Sequence, residues 1–239
     1  MQKLTYISFA SSSDGNAGLV TDGKTHLLLD AGISARRITS ALESLGLETR
    51  ELQGVLLTHF HSDHVKGLEN LLKKTPLPVY SPGKGFRALR PFSVGDLEIT
   101  AFHTPHDSYP SCGFFFREGE ETLGFATDLG HVTPEIEGTL RGVKTLILES
   151  NYDREMLYEG PYPYALKVRI DSESGHLSNE DCGAFLAHLA KNGLESAALA
   201  HLSRTNNTSE KAFAASQKAL EGSAVRLSVL DRDEVTKLC

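Results

Sequence analysis

The run Thr58-His59-Phe60-His61-Ser62-Asp63-His64 gathers three imidazoles and a carboxylate within six residues, directly after the apolar segment Gly54-Val55-Leu56-Leu57. Three of the chain's 10 histidines on one short turn would repel one another once protonated, unless a cation holds them. Neutral imidazole and carboxylate are natural ligands for zinc, manganese or iron. The H-x-H-x-D-H spacing can divide its ligands between two neighbouring ions. His59 and His61, two apart on an extended turn, can point to one ion, and Asp63 and His64 to a second.

This run resembles the signature of the metallo-β-lactamase superfamily of hydrolases, and the likeness extends from the N-terminal strand to about His201. Further candidate ligands follow in the order that family shows: His106 in Thr104-Pro105-His106-Asp107, Asp128 in Ala126-Thr127-Asp128-Leu129-Gly130-His131, and His201 in Leu199-Ala200-His201-Leu202-Ser203. The resemblance implies that His59, His61 and His106 hold one metal and Asp63, His64 and His201 the other, with Asp128 bridging. It implies two divalent metal ions, zinc or manganese, with iron also compatible with the donor set. Four more stretches look like the bacterial YycJ/WalJ-type branch: Ser11-Ser12-Ser13-Asp14-Gly15-Asn16, Glu149-Ser150-Asn151-Tyr152-Asp153, Ser174-Gly175-His176-Leu177-Ser178-Asn179, and His201-Leu202-Ser203-Arg204-Thr205-Asn206-Asn207. That branch implies a DNA exonuclease acting from the 5′ end and linked to DNA repair. RNase Z and the RNase J group are wider relatives.

Two metals about 3.5–4 Å apart can clamp a phosphodiester and activate the attacking water. Asp63 is the candidate to orient that water, as ligand and base. In RNase Z-like relatives a strand-ending Glu and a His before a helix protonate the leaving group. Glu149 and His176 match those positions, and an imidazole backed by a carboxylate suits a general acid near neutrality. Phosphodiester cleavage expels an alkoxide, so an acid there helps. Asp30 is a candidate to orient a ligand from behind, although a strand-ending turn former would look the same. Ser203, Arg204 and Asn206 follow His201 and are expected at the rim as substrate-binding residues, with Arg204 offering forked donors to a phosphate. A capped loop leading into the next helix is the plainer alternative there. The Ser11–Asn16 turn can likewise receive a phosphate or be only a tight turn. His103 rivals His106 as a ligand, and His131 can reach metal water or substrate. In the segment 152–169, Tyr162 and Tyr164 can stack on bases and Lys167 and Arg169 can meet phosphates; a surface loop packing its aromatics is the bland alternative.

These residues need strand ends to hold them. Segments 4–10 and 18–30 read as strands around a Ser/Gly/Asn turn. Residues 33–46 read as a helix with Ile38, Leu42 and Leu45 on one stripe and Gly46 as its stop. A buried strand at 54–58 delivers the histidine run, and helical spacing continues from Asp63 through Leu72 until Pro76 and Pro78. Segments 97–103, 113–117, 122–127, 145–149, 196–201 and 225–230 read as strands, 178–192 and 209–220 as helices. Ser178-x-x-Asp181 resembles a capping box. Strands followed by helices, twice over, with candidate ligands at strand ends, predict an α+β fold, a four-layer αβ/βα sandwich, which the resemblance also implies. No linker or low-complexity segment divides residues 1–239, so one hydrolase domain is expected.

Hydrophobic residues at 40% and charged residues at 23% are ordinary for a soluble globular chain. No apolar stretch approaches the roughly 20 residues that span a bilayer, and Met1-Gln2-Lys3-Leu4-Thr5-Tyr6 lacks the features of a signal peptide. No membrane partner and a cytoplasmic location are expected. Cys112, Cys182 and Cys239 are too scattered for a metal knuckle or a disulfide framework. A net charge of −7 argues against non-specific coating of nucleic acid, but the ligand carboxylates are part of it, and two divalent ions would offset them. An enzyme working at a strand end needs only a local basic patch. The expectation is therefore a metal-dependent phosphodiester hydrolase with nucleic acid, DNA first, as its partner. An RNA-processing nuclease and a small-molecule phosphodiesterase are the competing functions. A glyoxalase-type thioester hydrolase leaves Glu149 and His176 without a task, and a non-catalytic module leaves the whole ligand set so.

Overall fold

The computed structural model describes residues 4–83 and 90–238; Cys239 and the first three residues, on which two expectations bore, lie outside them. The chain starts with β1 (Thr5–Ser12), β2 (Gly15–Thr21) and β3 (His26–Leu29), an antiparallel meander. Next come α1 (Ala35–Ser44), β4 (Gly54–Leu56), α2 (Ser62–Val65), α3 (Leu68–Lys74) and β5 (Val79–Tyr80), with β4 and β5 added in parallel. The second half runs β6 (Phe92–Val94), β7 (Leu97–His103), β8 (Cys112–Glu118), β9 (Glu121–Ala126), α4 (Pro134–Leu140), β10 (Thr145–Glu149), α5 (Arg154–Glu159), α6 (Tyr164–Ile170), α7 (Asn179–Ala190), β11 (Ser196–Ala200), α8 (Ser209–Ala219), β12 (Arg226–Val229) and β13 (Thr236–Lys237). Two mixed sheets result, ordered β13-β1-β2-β3-β4-β5 and β12-β11-β10-β9-β8-β7-β6.

Period-two alternation decides which layer each side chain joins. Leu27 and Leu29 enter the core between the sheets, against Phe114, Phe116, Phe125 and Ile147, while Leu28 between them faces α1 through Ile38 and Leu42. On the other side Ile147 and Ala198 face the first sheet, and Leu146, Leu148, Ala197 and Leu199 face α4 and α7. Three stacked cores make four layers, with helices outside, as expected from the sequence.

Several elements differ from the sequence expectation. The segment 18–30 is two strands, because Asp22-Gly23 turns the chain; Gly23 takes φ +90° and Asp22 Oδ1 accepts the Lys24 and Thr25 amides. The helix after Asp63 breaks at Gly67, whose Cβ would lie 1.9 Å from Ile33 O; it passes close to that strand exit and donates its N–H to Ala31 O at 2.8 Å. The segment 152–169 forms α5 and α6 rather than a loop, started by the Asp153 cap on Met156 N. Among these, α4 was not anticipated, although Thr133 caps it and Pro134 is its first residue. α1 runs as expected, from its Ser34 cap to Gly46 at φ +76°.

Candidate metal centre

The candidate ligands sit at or beyond the carboxyl ends of strands. Asp30 follows β3, the 58–64 run leads from β4 into the short helix α2, which carries Asp63 and His64, His106 follows β7, Asp128 follows β9, Glu149 closes β10 and His201 follows β11. Asp30, Asp128 and His201 each take φ +57°, the left-handed region that non-glycine residues avoid and that gathers at functional sites. Gly32 lets the exit of β3 pass beneath the histidine turn: a Cβ there would lie 1.6 Å from Asp63 O.

Donor atoms of His59, His61 and His106 lie within 4.8 Å of one another, as do those of Asp63, His64 and His201. Asp128 lies between the sets. Its Oδ2 is 3.4 Å from His64 Nε2, and its Oδ1 is 3.8 Å from His106 Nε2 and 3.6 Å from His201 Nδ1. His59 Nε2, His201 Nε2 and Asp128 Oδ2 are buried without any hydrogen-bond partner. Each such orphan costs about 1–3 kcal/mol, and three converging on one cluster of nitrogen and oxygen donors form a set that a divalent cation satisfies. The residues thus fit the ions the family implies. Burial, then the charge of His64, pushes the His59 imidazole down to about 2, so it is neutral as a ligand must be. Burial opposes the charge on His64, but Asp128 and Asp30 outweigh it and raise the group to about 10.

Buried carboxylates orient these imidazoles. Asp30 accepts from Thr58 N at 2.9 Å, Thr58 Oγ1 at 2.9 Å and His64 Nδ1 at 2.8 Å. The supporting geometry expected of Asp30 is therefore present. Glu149 Oε1 accepts from His176 Nδ1 at 2.8 Å and from His201 Nδ1 at 2.7 Å, and its Oε2 accepts from Leu177 N at 3.0 Å and Leu129 N at 3.1 Å. Burial would raise the Glu149 carboxyl, yet His176 and His201 overcome it and hold it down to about 2. Sequence reasoning paired Glu149 with His176 and missed His201. The signal was the parallel strand pair, since Glu149 lies opposite Ala200 in the register. His106 Nδ1 lies 3.1 Å from Gly175 O, on the same segment as His176. The Ser11–Asn16 turn closes one side: Ser11 Oγ accepts the His201 N–H at 2.8 Å, and Asn16 Nδ2 is 3.1 Å from His64 Nε2. Asn151, also unforeseen, donates from Nδ2 to His201 O at 2.8 Å.

The expected rim is partly rearranged. Ser203 is buried, its Oγ accepting the Thr205 and Asn206 amides. Arg204 is held in ion pairs: Nε meets Asp14 at 2.6 Å, and Nη2 meets both Asp233 oxygens at 2.8 and 2.7 Å. Asn206 is fully buried rather than at the rim. Lys167 Nζ is spent on Tyr158 O and Gly160 O, stapling α5 to α6, and Arg169 pairs with Asp107. Tyr164 is exposed, whereas Tyr162 borders a cavity beside His176. His103 belongs to none of the clusters of possible ligands found among the described residues, and His131 Nδ1 bonds to Glu173 O.

Residues 12–148 match the model of the metallo-beta-lactamase superfamily. The chain is 34% identical to exodeoxyribonuclease YycJ of Bacillus anthracis over 91% of its own length and 89% of the relative's. It is 31% identical to exodeoxyribonuclease WalJ of Streptococcus pneumoniae serotype 2, over 87% and 84%. The crystal structure of Zn(2+)-bound PqqB from Methylobacterium extorquens shares the fold at a TM-score of 0.74 and 17% identity, covering 98% of this chain and all of that one.

Proposed function

Because the chain belongs to the metallo-beta-lactamase superfamily and is a metal-dependent hydrolase, we propose that it cleaves phosphodiesters in DNA as an exonuclease working from the 5′ end with two divalent ions, zinc or manganese, in the cytoplasm. The observation that carries the reading is the sharing of Glu149 Oε1 between His201, a candidate ligand, and His176, which lies with Asp128, Glu149 and His201 in a further group of possible ligands but spends Nδ1 on Glu149. A carboxylate held between a ligand and a second imidazole suits a reaction that needs a proton for its leaving oxygen. The two relatives described above, each matched over most of the chain's length, are named exodeoxyribonucleases, and no helix among the described residues is long and apolar enough to cross a membrane.

In this reading His59, His61 and His106 would hold one ion, Asp63, His64 and His201 the other, and Asp128 both. Bound there, divalent ions lower the pKa of water toward neutrality and polarise a phosphoryl oxygen. The protein's own part is to place groups. Asp63, more exposed than His64 and His201 beside it, orients the attacking water. Asp30 and Glu149 fix the imidazoles of His64 and His201, so each presents Nε2 to the cluster. His176 uses Nδ1 for Glu149 and keeps Nε2 for the leaving oxygen. The test is digestion of end-labelled DNA and matched RNA by metal-stripped protein resupplied with manganese or zinc. Stepwise release of nucleotides from the 5′ end of DNA is expected. Turnover of a small phosphodiester without digestion of any polymer would overturn the reading.

A further inference from the structure

A cavity of about 190 Å³ opens beside His176. Half-buried Tyr162, Leu166 and Ile170 line it from α6 and its approach, and Asn151 and Ser203 line it from the ends of β10 and β11. Its charged edge is the Arg169–Asp107 ion pair, with Nη2 2.5 Å from Oδ2. Asp107 Oδ1 in turn lies 3.6 Å from His61 Nε2 and 3.5 Å from His106 Nε2, so that edge adjoins the candidate metal cluster. A hollow with an aromatic and aliphatic wall on one side and amide and hydroxyl groups on the other suits a flat, amphipathic ring system. It is far too small for a duplex.

We propose that this cavity receives the terminal nucleoside that departs in cleavage, its base against Tyr162 and its 3′ oxygen at His176, which rests on the reading above that His176 protonates the leaving oxygen. The oxygen of water bonds to phosphorus, and the bond from phosphorus to the 3′ oxygen breaks. The departing oxygen takes the His176 proton and becomes a 3′ hydroxyl, while the remaining strand keeps a 5′ phosphate. One proton of the attacking water passes through solvent to His176 and restores it, and the other stays on the new 5′ phosphate until that group ionises. A hollow that seats the terminal nucleoside suits removal of one nucleotide at a time.

The chain contains no tryptophan, so Tyr162→Trp places a sole indole at the cavity wall. Titrating this metal-loaded variant with deoxyadenosine 5′-monophosphate is expected to quench its fluorescence saturably. Deoxyribose 5-phosphate, which lacks the base, is expected to bind about 10-fold or more weakly, the order of one lost base–aromatic stack. Equilibrium dialysis of the same two compounds against the wild-type protein gives the answer without a substitution. No saturable binding, or equal binding of the base-free sugar phosphate, overturns the assignment. If wild-type protein still digests DNA from its end, only the cavity assignment falls. If it digests no DNA, the proposed function falls and this inference with it.

Discussion

Glutamine at position 149 would keep the shape of the side chain and remove its charge. Glu149 is fully buried and accepts four hydrogen bonds, two imidazole N–H groups at Oε1 and the Leu129 and Leu177 amides at Oε2. An amide has one accepting end and one donating end. With its oxygen toward the imidazoles, its NH2 meets two backbone N–H groups; reversed, it meets the two imidazoles. Either way two buried donors lose their acceptor, at about 1–3 kcal/mol each, so metal-free Glu149→Gln should lose about 2–6 kcal/mol of stability. For a chain of this size each kcal/mol moves the melting temperature by about 2–4 °C. Loosening His201 should also weaken metal binding by about 10–100-fold. Thermal unfolding of the metal-free proteins, followed by metal titration, measures both. A variant that unfolds within about 2 °C of wild type and binds metal as tightly would refute the reasoning.

His176→Ala should slow DNA hydrolysis by about 10²–10⁴-fold with metal content unchanged; loss of bound metal, read by atomic emission, would make His176 a ligand instead. His64→Ala or Asp128→Ala should abolish hydrolysis while circular dichroism keeps the native fold, and wild-type turnover by Asp128→Ala would sink the two-metal mechanism. Burial raises the Asp171 carboxyl, but hydrogen bonds from Tyr152 and Tyr158, with Arg154, outweigh it and lower the group below its ordinary value of 3.8. Its contribution is therefore whole above pH 3.8 and fades as pH falls below that, so Asp171→Asn should flatten the acid limb of stability against pH; an unchanged limb contradicts this. Gly32→Ala sets a Cβ 1.6 Å from Asp63 O and should lower both melting temperature and metal affinity, whereas a variant that still loads metal normally would show that the turn can yield.

How much of the site could be read in the sequence follows from how each part is encoded. The 58–64 run is local, so its spacing alone announced a ligand turn. His106, Asp128 and His201 are distant in the chain and were ordered only through likeness to a family. Glu149 shows the limit of that route: its partner His176 came with a motif, but its hold on His201 depends on two parallel strands lying side by side, which no local spacing records. The ion pairs of Arg204 escaped the sequence for a similar reason. Asp14 and Asp233 are 190 and 29 residues away, and only the fold brings them to the guanidinium. Most strands were legible as short β-favouring segments, though β6 and β13 were not anticipated, while the 18–30 hairpin was obscured by apolar residues on both sides of Asp22-Gly23. The residues after Tyr152 looked like a loop because their apolar positions are few and their helices short.

The strands at the margins of the two sheets are brief. β5 and β13 have two residues each, β6 three and β12 four. Edge strands are where a second chain can add itself through unpaired backbone groups, the route to fibres and precipitates. Here each margin offers at most four residues of such template, and Pro76, Pro78 and Pro82 flank β5 with positions that have no N–H to donate. The strongly apolar segments β8 to β11 lie inside the sheet with neighbours on both sides, and β6 covers β7 over its first three residues. Resistance to edge-to-edge aggregation is thus written into strand length, and lengthening β12 or β13 by design would remove it.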